Sequence, residues 1–385
     1  MAATALKRAE ETAMDPKTIM LLSGALGAVM AVVLYLLKRS YPPTIRGVGL
    51  WSLSLAMSFV AGVLFATTGV LPTPLSTTLP SLMTFLGPYI NLVGTQRFFN
   101  AAPRHLPWLG LIAAAASTSM WFTYGQPDYG VRLQLSSAVV GALCLSHAWL
   151  LWQHSRKTLA GRIAIGVLAS AGAVQVMRFA TARLYPAGEN VMNTSAQNVA
   201  YLAAFAFAIV LIAISQVLLA TDRLRGELQR AATHDSLTDA YTRRYMKEAL
   251  QRELSRCLRH NRQMALLLID IDHFKKINDS LGHQEGDRVL TEFVTSIKAL
   301  LRGADLLGRF GGEEFVVLLP ETTLAVANAV AERVRAAMSS WGGPTVSIGV
   351  TASRASGDSV DALLARADAA MYRAKSKGRN RVETA

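Results

Sequence analysis

Two glycines and two glutamates stand side by side at Gly311, Gly312, Glu313 and Glu314, with apolar residues on both sides. Because glycine lacks a Cβ atom, this segment can adopt positive φ angles and bring its backbone close to a ligand, while the glutamates supply two carboxylates. The flanking apolar runs predict two strands joined by an acidic hairpin. Such a hairpin suits phosphates bound through a metal ion, although a surface hairpin whose acidity only aids solubility fits this segment equally well.

A second acidic segment follows the apolar residues 264–269, where Asp270, Ile271 and Asp272 end a predicted buried strand. Residues two apart in a strand project to the same side, so the two carboxylates should lie together and repel each other unless a cation is bound. Magnesium is usually held by one or two carboxylates together with substrate phosphates. The two acidic segments therefore predict a Mg²⁺ site, with Mn²⁺ as a substitute, and phosphoryl or nucleotidyl transfer as its chemistry.

Six blocks of sequence place these segments in one continuous stretch of the chain. In order, they read DSLT and RR within 235–244, DIDHFKKIND at 270–279, GHQEGD at 282–287, RFGGEEF at 309–315, SIGV at 347–350 and ADAAMYRAKSKGRN at 367–380. Together they resemble the GGDEF family of diguanylate cyclases over about 150 residues, an ordinary domain length. One departure is Asp239-Ala240, where the family usually has Gly-Leu, and it puts the local turn in doubt.

The resemblance implies both a fold and a reaction. The fold is an α/β domain, ferredoxin-like and similar to polymerase palms. The reaction joins two GTP molecules into cyclic di-GMP and releases pyrophosphate. Because each domain of this family holds one GTP, the resemblance also implies a homodimer that brings two half-sites together.

The resemblance further assigns the metal ligands and the catalytic residues. It implies that Mg²⁺ is held by Asp270, the Ile271 carbonyl and Glu313, with Glu314 as a further ligand. Glu313 is also implied to help remove the proton from the 3′-hydroxyl group. Lys275 is implied to offset negative charge on the phosphates, although the same residue would also suit a solvated surface.

Seven positions match the substrate-binding positions of the family. Phe274 and Lys275 would offer backbone N–H groups to the triphosphate, and Asn278 and Asp287 would contact guanine, whose donor edge suits a carboxylate. Asp287 would equally suit the N-cap of the following helix, and basic residues at the end of the last helix would equally complement its dipole. The substrate-binding set is Phe274, Lys275, Asn278, His283, Asp287, Lys375 and Arg379.

Arg302 and Asp305 have the RxxD spacing that marks a product-binding inhibitory site in this family. Arginine stacks on purines and binds phosphate, and a nearby Asp can orient it. Bound cyclic di-GMP would then act as an allosteric inhibitor. The alternative is a local surface ion pair, which contributes little to stability.

The chain as a whole is too apolar for two water-soluble domains, since 51% of its 385 residues are hydrophobic and only 17% are charged. A membrane-spanning helix needs about 20 apolar residues, and seven stretches before residue 221 fit this requirement. Of these, the third contains Pro80 and Pro88, and the sixth contains Arg178, which we expect to snorkel to the membrane surface. The predicted spans are 18–37, 48–68, 77–93, 106–124, 133–152, 163–182 and 200–220.

Basic residues concentrate in alternate predicted loops and after the last span, which marks those segments as cytoplasmic. They place the N terminus outside and the C-terminal domain in the cytoplasm, at the inner membrane of a bacterium. The predicted regions are a tail at 1–17, an all-α polytopic membrane domain at 18–220, a helical linker at 221–234 and the α/β domain at 235–385. The basic residues are Lys38, Arg39, Arg46, Arg97, Arg104, Arg156, Lys157, Arg162, Arg223, Arg225 and Arg230.

The net charge of +13 does not indicate a nucleic-acid partner. Residues 1–220 carry +9, from 14 basic and 5 acidic residues, and residues 221–385 carry only +4, from 25 and 21. The excess therefore follows membrane topology, and the C-terminal domain lacks the basic aromatic surface that binds nucleic-acid strands. Cys144 and Cys257 indicate neither a disulfide framework nor a catalytic thiol.

Apolar residues recur at three- and four-residue steps from the last span into the linker, at Ile214, Val217, Thr221, Leu224, Leu228 and Ala231. This heptad spacing predicts a coiled coil between two chains, and an amphipathic linker helix that packs on the domain is the alternative. Two other functional classes were considered. A catalytically silent receptor should have lost Asp270, Glu313 or Glu314, and a transporter should show paired repeats with broken helices; the sequence has neither feature.

Overall fold

The computed structural model describes residues 15–103, 105–182, 190–340, 342–354 and 358–385. The chain divides into two compact units, Met1–Arg225 and Gly226–Ala385. Most of the predicted tail at 1–17, and Arg104 among the predicted cytoplasmic residues, lie outside the described residues.

The N-terminal unit is built from helices, and local sequence signals mark where several of them begin. The side chain of Asp15 caps α1, whose first residue is Pro16, and the side chains of Asp128 and Thr158 cap α5 and α6. Short π-helical turns, Pro74–Thr78 and Trp121–Gly125, adjoin α3 and α4. The helices are α1 Pro16–Ser40, α2 Val48–Ala66, α3 Leu79–Phe98, α4 His105–Met120, α5 Tyr129–Ser155, α6 Leu159–Thr181 and α7 Ala196–Thr233.

Five of these helices, α1, α2, α5, α6 and α7, are long and apolar enough to cross a membrane. The sequence predicted seven spans, and among the described residues α3 and α4 do not qualify. Helix α4 has 16 residues before it continues into the π-helical turn Trp121–Gly125, and this α-helical part alone is shorter than the roughly 20 residues that a bilayer requires. Helix α3 has 20 residues but contains Pro88 and several polar side chains.

The polar side chains of α3 are buried against its neighbours. Trp51 of α2 donates its indole N–H to Thr95 of α3 at 2.9 Å, and Thr95 lies 2.7 Å from Nε2 of His147 in α5. Asn91 of α3 accepts from the Gln216 amide of α7 at 2.8 Å. Helix α3 can carry these polar side chains because they bond one another inside the helical unit. A helix that faces lipid on several sides would be more apolar.

The sequence predicted that Arg178 snorkels to the membrane surface, and this prediction is wrong. Its Nη2 atom donates to Asn198 at 3.3 Å, its guanidinium lies 5.5 Å from the ring centroid of Tyr201, and its Nε atom is buried. The side chain therefore points between α6 and α7 and borders an internal cavity.

The C-terminal unit is a six-stranded mixed sheet covered by helices, with strand order β1-β3-β4-β2-β5-β6. Its central four strands are antiparallel neighbours, and their helices give the connectivity β-α-β-β-α-β. The elements are β1 Tyr241–Thr242, α8 Arg243–His260, β2 Ala265–Ile271, α9 Phe274–Leu281, α10 His283–Leu300, β3 Leu306–Arg309, β4 Glu314–Leu319, α11 Leu324–Ser340, β5 Val346–Ala352, α12 Val360–Ser376 and β6 Arg381–Thr384.

Strand β2 is buried along its whole length because helices cover both faces of the sheet. Leu267 and Ile269 belong to a core formed with α10 and α11, and the alternate residues Leu266 and Leu268 belong to a second core formed with α8 and α12. This two-sided burial explains why the segment reads as a continuous apolar run rather than an alternating one.

Helix α12 packs so closely on β5 that the contact requires glycine. A Cβ atom added at Gly349 would overlap the carbonyl oxygen of Ala367 and the backbone nitrogen of Met371. The absence of a side chain at this position sets how near α12 lies to the sheet.

Helix α7 is continuous from Ala196 to Thr233 and contains the whole predicted heptad seam. Val217 and Leu224 pack partly against the apolar core of the N-terminal unit, whereas the side chain of Leu228 is 60% exposed. None of the six seam residues is buried, and Ile214 is 43% exposed, so the pairing of two chains along the seam stays a prediction.

Candidate active site

The Gly-Gly-Glu-Glu segment connects β3 and β4 as a hairpin, as the sequence predicted. The backbone N–H groups of Phe310 and Gly311 donate to the Glu314 carbonyl at 2.8 and 3.4 Å. Neither Gly311 nor Gly312 adopts the positive φ angle that the sequence predicted. Small size matters at Gly311, where an added Cβ would lie 3.1 Å from the Glu314 carboxylate, whereas nothing lies within 4 Å of the position of a Cβ at Gly312.

Strand pairing brings the two acidic segments together at one edge of the sheet. Asp270 of β2 pairs with Glu314 of β4 and with Ser347 of β5. The backbone N–H of Ile271 donates to the Glu313 carbonyl at 3.3 Å. Asp270, Ile271, Glu313 and Glu314 are thus neighbours although 43 residues separate the first from the third.

Burial makes both carboxylates at this edge hard to ionise. It raises the pKa of Asp270 above its usual range, and burial followed by repulsion from Asp270 raises the pKa of Glu313. Lys375, carried by α12, forms an ion pair with Asp270 at 2.7 Å and only partly counters the effect of burial on the pKa of Asp270. Lys375 also lies in the last turn of α12, so its position remains compatible with the helix-dipole interpretation.

The residues at this edge fit a divalent cation. The described part of the chain contains no cluster of three or more His, Cys, Asp or Glu side chains arranged for a metal. Magnesium does not need one, because one or two carboxylates with substrate phosphates and water usually complete its coordination. Asp270 and Glu313 supply two carboxylates that repel each other, Ile271 supplies a carbonyl, and the ammonium of Lys375 already places a positive charge beside Asp270.

Asp272 has a structural role that the sequence did not reveal. The prediction that Asp270 and Asp272 together need a cation is wrong for Asp272, because three donors occupy its carboxylate. Thr345 and Ser347 donate their hydroxyls at 2.7 Å each, and the backbone N–H of Asn380 donates at 3.1 Å. Asp272 thereby fixes the turn between α12 and β6, next to Arg379.

The start of α9 presents free backbone N–H groups close to the acidic edge. His273 precedes the helix with a φ angle of 59°, and its carbonyl accepts from Lys276 and Ile277. The N–H groups of Phe274 and Lys275 precede these first helical bonds. The Phe274 side chain is buried and anchors the helix, whereas Lys275 is exposed.

The proposed guanine contacts, Asn278 and Asp287, lie on the adjoining helices α9 and α10. A Cβ at Gly286 would overlap the Asn278 amide oxygen, so glycine at this position lets the amide rest against α10. Asp287 is the fifth residue of α10, whose N-cap is Gly282, so the alternative that Asp287 caps the helix is wrong. Asp287 and His283 are exposed, and among the described residues no hydrogen bond or ion pair is recorded for either side chain.

Arg302 and Asp305 form a turn before β3. The Asp305 carboxylate accepts from the backbone N–H of Arg302 at 2.8 Å, and the Asp305 N–H donates to the Arg302 carbonyl at 3.0 Å. In the described part of the chain the Arg302 guanidinium forms no ion pair with Asp305, so the surface ion pair considered above is absent.

Arg309 links the hairpin to the DSLT segment, a connection that the sequence analysis missed. Its guanidinium donates to the Gly312 carbonyl at 2.7 and 3.1 Å and to the Asp235 carboxylate at 3.0 Å. Asp235 also accepts from the backbone N–H and hydroxyl of Thr238 at 2.9 and 2.8 Å. Asp239 adopts a φ angle of 54°, which Asp tolerates, so the departure from glycine preserves the turn.

Replacing Lys375 by methionine should destabilise the C-terminal unit by about 1–3 kcal/mol at neutral pH, because Asp270 would keep a buried charge without its partner. The raised pKa of Asp270 means that this loss should shrink as the pH falls and the carboxyl group protonates. Added Mg²⁺ should stabilise the variant more than the wild type. Chemical unfolding at several pH values, with EDTA or Mg²⁺, measures all three effects.

Lys377→Met is the matched control for this experiment, since Lys377 pairs with Glu383 on the surface and lies two residues further along. It should change stability by less than about 1 kcal/mol at any pH. Equal losses in both variants would show that the Lys375 charge does not act on Asp270.

Comparison with known proteins identifies relatives of the C-terminal unit. Residues 232–381 match the family described as "Diguanylate cyclase, GGDEF domain". The chain is 45% identical over 177 residues to the response regulator PleD of Caulobacter vibrioides, covering 42% of this chain and 38% of PleD. It is 44% identical over 165 residues to the diguanylate cyclase DgcM of Escherichia coli, covering 42% of this chain and 40% of DgcM. The chain thus spans about two fifths of the length of these relatives.

Among solved structures, the coiled coil and GGDEF domain of DgcB from Caulobacter crescentus, in complex with c-di-GMP, is 32% identical with a TM-score of 0.42. That match covers 45% of this chain and 97% of the DgcB chain.

Proposed function

We propose that this chain, in which residues 232–381 are a GGDEF domain, is a diguanylate cyclase that condenses two GTP molecules into cyclic di-GMP and pyrophosphate. The observation that carries this proposal is the convergence of Asp270, Ile271 and Glu313 at one sheet edge, beside the free N–H groups that begin α9. The carboxylates can hold a cation, and the N-terminal end of the helix can bind phosphates. Nucleotidyl transfer needs both of these features.

Each residue at this edge has a role in the proposed reaction. Mg²⁺, held by Asp270, Glu313 and the Ile271 carbonyl with Glu314 nearby, would supply charge stabilisation at the reacting phosphate. The pKa of Glu313, raised by burial, favours acceptance of the 3′-hydroxyl proton. Phe274 and Lys275 would bind the phosphates through their backbone N–H groups, and the Lys275 ammonium would offset their charge.

Lys375 and Arg379 are proposed to complete phosphate binding from the opposite side. Lys375 already lies at the acidic edge, bonded to Asp270. Arg379 follows α12 in the turn that Asp272 holds through Asn380. When cation and nucleotide are bound, the Lys375 ammonium can exchange the Asp270 carboxylate for a phosphate oxygen, since both are anionic acceptors.

The choice of guanine is assigned to Asn278 and Asp287, with His283 on the same helix as Asp287. The Asp287 carboxylate can accept from the N1–H and the 2-amino group of guanine, and adenine has no donor at N1. The free and exposed carboxylate of Asp287 supports this assignment, because no helix-capping role competes for it.

The palm-like, ferredoxin-like fold that the resemblance implied is supported by the β-α-β-β-α-β connectivity of the sheet. The proposed homodimer follows from the chemistry, since a symmetric dinucleotide needs two half-sites that face each other. The exposed Leu228 on α7 supports a short helical pairing of two chains next to the cyclase unit.

The helices of the N-terminal unit are proposed to hold the enzyme in the bacterial inner membrane as a multi-pass anchor and sensor. Five candidate spans and the seven first predicted are both odd numbers, so either count places the two ends of the chain on opposite sides. The basic loops support an external N terminus and a cytoplasmic cyclase unit. A sensor role is supported by the continuity of α7 from the helical unit into the linker.

The function is tested by incubating the full-length protein, purified in detergent, with Mg²⁺ and either GTP or ATP, and identifying the products by mass spectrometry. Cyclic di-GMP should form from GTP, and no cyclic dinucleotide should form from ATP. A protein that binds GTP without converting it would instead be a catalytically silent receptor, and the proposal would be rejected.

Replacing Arg302 by alanine should leave the initial rate unchanged and abolish inhibition by added cyclic di-GMP, if Arg302 and Asp305 bind the product. The exposed guanidinium, free of an ion pair with Asp305, is available to a ligand. Progress curves with and without added product measure the effect. Arg333→Ala, which removes an exposed arginine that donates to the Leu300 carbonyl, should remain inhibited, and equal inhibition of both variants would exclude the site.

A further inference from the structure

Two arginines border a cavity inside the N-terminal helical unit. The cavity has a volume of about 190 Å³ and is lined by residues of α1, α2, α3, α5, α6 and α7, with a contribution from Ser119 of α4. Arg132 of α5 and Arg178 of α6 are the charged side chains among its described lining residues. A buried cavity of about 150 Å³ can hold a molecule the size of benzene, so this one has room for an organic ligand.

The arginines are poorly satisfied by the described residues. The Arg178 guanidinium donates to the Asn198 side chain at 3.3 Å, and the Arg132 guanidinium donates to the Thr123 hydroxyl at 3.2 Å. The Nε atoms of both are buried without a hydrogen-bond partner. Each guanidinium has five N–H donors, so most of this donor capacity is unused.

No carboxylate among the described residues forms an ion pair with either arginine. Asp128 lies near Arg132, but its side chain accepts from the Val131 N–H and caps α5. The aromatic rings of Tyr129 and Tyr201 lie 5.5 Å from the guanidinium carbons of Arg132 and Arg178. Aromatic rings attract a cation but leave its N–H donors free, so the described residues supply no negative partner for either arginine.

The Tyr129 hydroxyl also lacks a hydrogen-bond partner among the described residues. It is buried without a hydrogen bond, and the charges of both Arg132 and Arg178 act on it. Three of the five buried unpartnered polar atoms found in the described chain therefore belong to this one group. Two like charges and a hydroxyl donor brought together in an apolar setting cost free energy, and one anion between them would offset that cost.

The rest of the lining combines apolar side chains, among them Phe59, Phe65 and Phe85, with small polar ones such as Ser58 and Thr84. A second cavity of about 80 Å³ shares Ser58, Val140 and Ile209 with it. A ligand with an anionic head and an apolar stem would match both ends. We propose that this cavity binds such an amphiphilic anion, with its head between Arg132, Arg178 and Tyr129 and its stem along the apolar lining.

This binding site does not depend on the cyclase activity proposed above, but it lies where a ligand could affect it. Leu202, Phe205 and Ile209 of α7 line the cavity, and α7 continues to Thr233. An occupant would therefore contact the helix that leads into the linker.

The test uses octanoate as the probe and the full-length protein in phosphatidylcholine nanodiscs, with binding measured by isothermal titration calorimetry. Octanoate should bind saturably, and Arg178→Gln should weaken the binding at least tenfold. Octanol, which has the stem without the charge, and inorganic phosphate, which has the charge without the stem, should each bind at least tenfold more weakly than octanoate.

Two further variants guard against misfolding and non-specific charge effects. Tyr129→Phe removes one donor without changing the shape of the ring and should weaken octanoate binding several-fold. Arg39→Gln removes a surface arginine that donates to the Tyr35 hydroxyl, and it should bind octanoate like the wild type. Octanoate binding to Arg178→Gln and Tyr129→Phe that is as strong as binding to the wild type would overturn the proposal, as would octanol binding equal to octanoate binding or no saturable octanoate binding.

A second lipid composition distinguishes the two possible sources of the natural anion, a bilayer lipid and a free organic anion. If nanodiscs that contain phosphatidylglycerol weaken octanoate binding in proportion to that lipid, the head group of a bilayer lipid is the occupant. If phosphatidylglycerol has no effect, the site takes a free organic anion. Measuring cyclase rates in the same samples then tests the sensor role separately, because octanoate that binds without changing the rate would reject the sensor and keep the site.

Discussion

Replacing Glu313 by glutamine should lower kcat for cyclic di-GMP formation by about a thousandfold or more, because in the proposed reaction this one side chain supplies both a cation ligand and a proton acceptor. Proton transfer by a positioned side chain contributes roughly 10²–10⁴-fold, and loss of a charge-stabilising group costs a similar factor. Burial and the nearby Asp270 raise the pKa of Glu313, so removing its charge should leave the protein as stable as the wild type or more so. Steady-state turnover with GTP and thermal unfolding measure the two effects.

Glu248→Gln is the matched control for this loss. Glu248 lies on α8, where its half-exposed side chain pairs with Arg244, and its replacement should leave kcat within about twofold, since exposed ion pairs contribute little. A folded Glu313→Gln protein with wild-type turnover would exclude this carboxylate from the reaction, and with it the proposed cation site.

Replacing Gly349 by alanine should cost the C-terminal unit about 2–4 kcal/mol of folding free energy, because the new methyl group would overlap the backbone of α12. The helix would have to move away from β5. Since α12 carries Lys375, the same shift should also reduce cyclase activity. Hydrogen–deuterium exchange should show faster exchange of the α12 amides, and denaturant unfolding should show the loss of stability.

Gly303→Ala tests whether the effect comes from close packing rather than from loss of glycine as such. Nothing lies within 4 Å of a Cβ added at Gly303, and its φ angle is not positive. Its stability should therefore stay within about 0.5 kcal/mol of the wild type. Protection of α12 in Gly349→Ala equal to that in Gly303→Ala would contradict the packing argument.

Local sequence patterns were sufficient to predict the acidic edge of the sheet at the candidate active site. A continuous apolar run that ends in Asp270, and a Gly-Gly-Glu-Glu turn between apolar runs, each predict a strand end, and both strands form where expected. Strand register then brings Asp270 opposite Glu314. These features follow from residues that are adjacent in sequence, which is why a pattern reveals them.

Contacts between distant segments were not predictable in this way. The Lys375–Asp270 ion pair joins residues 105 positions apart, and the donors that occupy Asp272 come from Thr345, Ser347 and Asn380. Asp270 and Asp272 look equivalent in the sequence. In the structure Asp270 pairs with a lysine, whereas the carboxylate of Asp272 accepts three hydrogen bonds. Their difference arises only when β5 and α12 close around them.

Two of the seven predicted spans coincide with helices that, among the described residues, do not meet the length and hydropathy requirement for a span. Hydrophobic stretches at 77–93 and 106–124 satisfy a composition rule, but α4 has only 16 α-helical residues before its π-helical turn, and α3 uses Asn91 and Thr95 to bond its neighbours. Composition alone does not distinguish a helix that faces lipid from one that packs inside a helical unit.

Arg309 bonds two separate segments of the C-terminal unit with one guanidinium group. Its guanidinium donates to the Gly312 carbonyl in the Gly-Gly-Glu-Glu hairpin and to the carboxylate of Asp235. Asp235 lies two residues after the end of α7. The end of α7 is also connected to the segment around β1, because Arg230 pairs with Asp239 and the Thr242 hydroxyl donates to the Ala232 carbonyl. A displacement of the C-terminal end of α7 would therefore reach the hairpin by two routes, through Arg309 and through the pairing of β1 with β3.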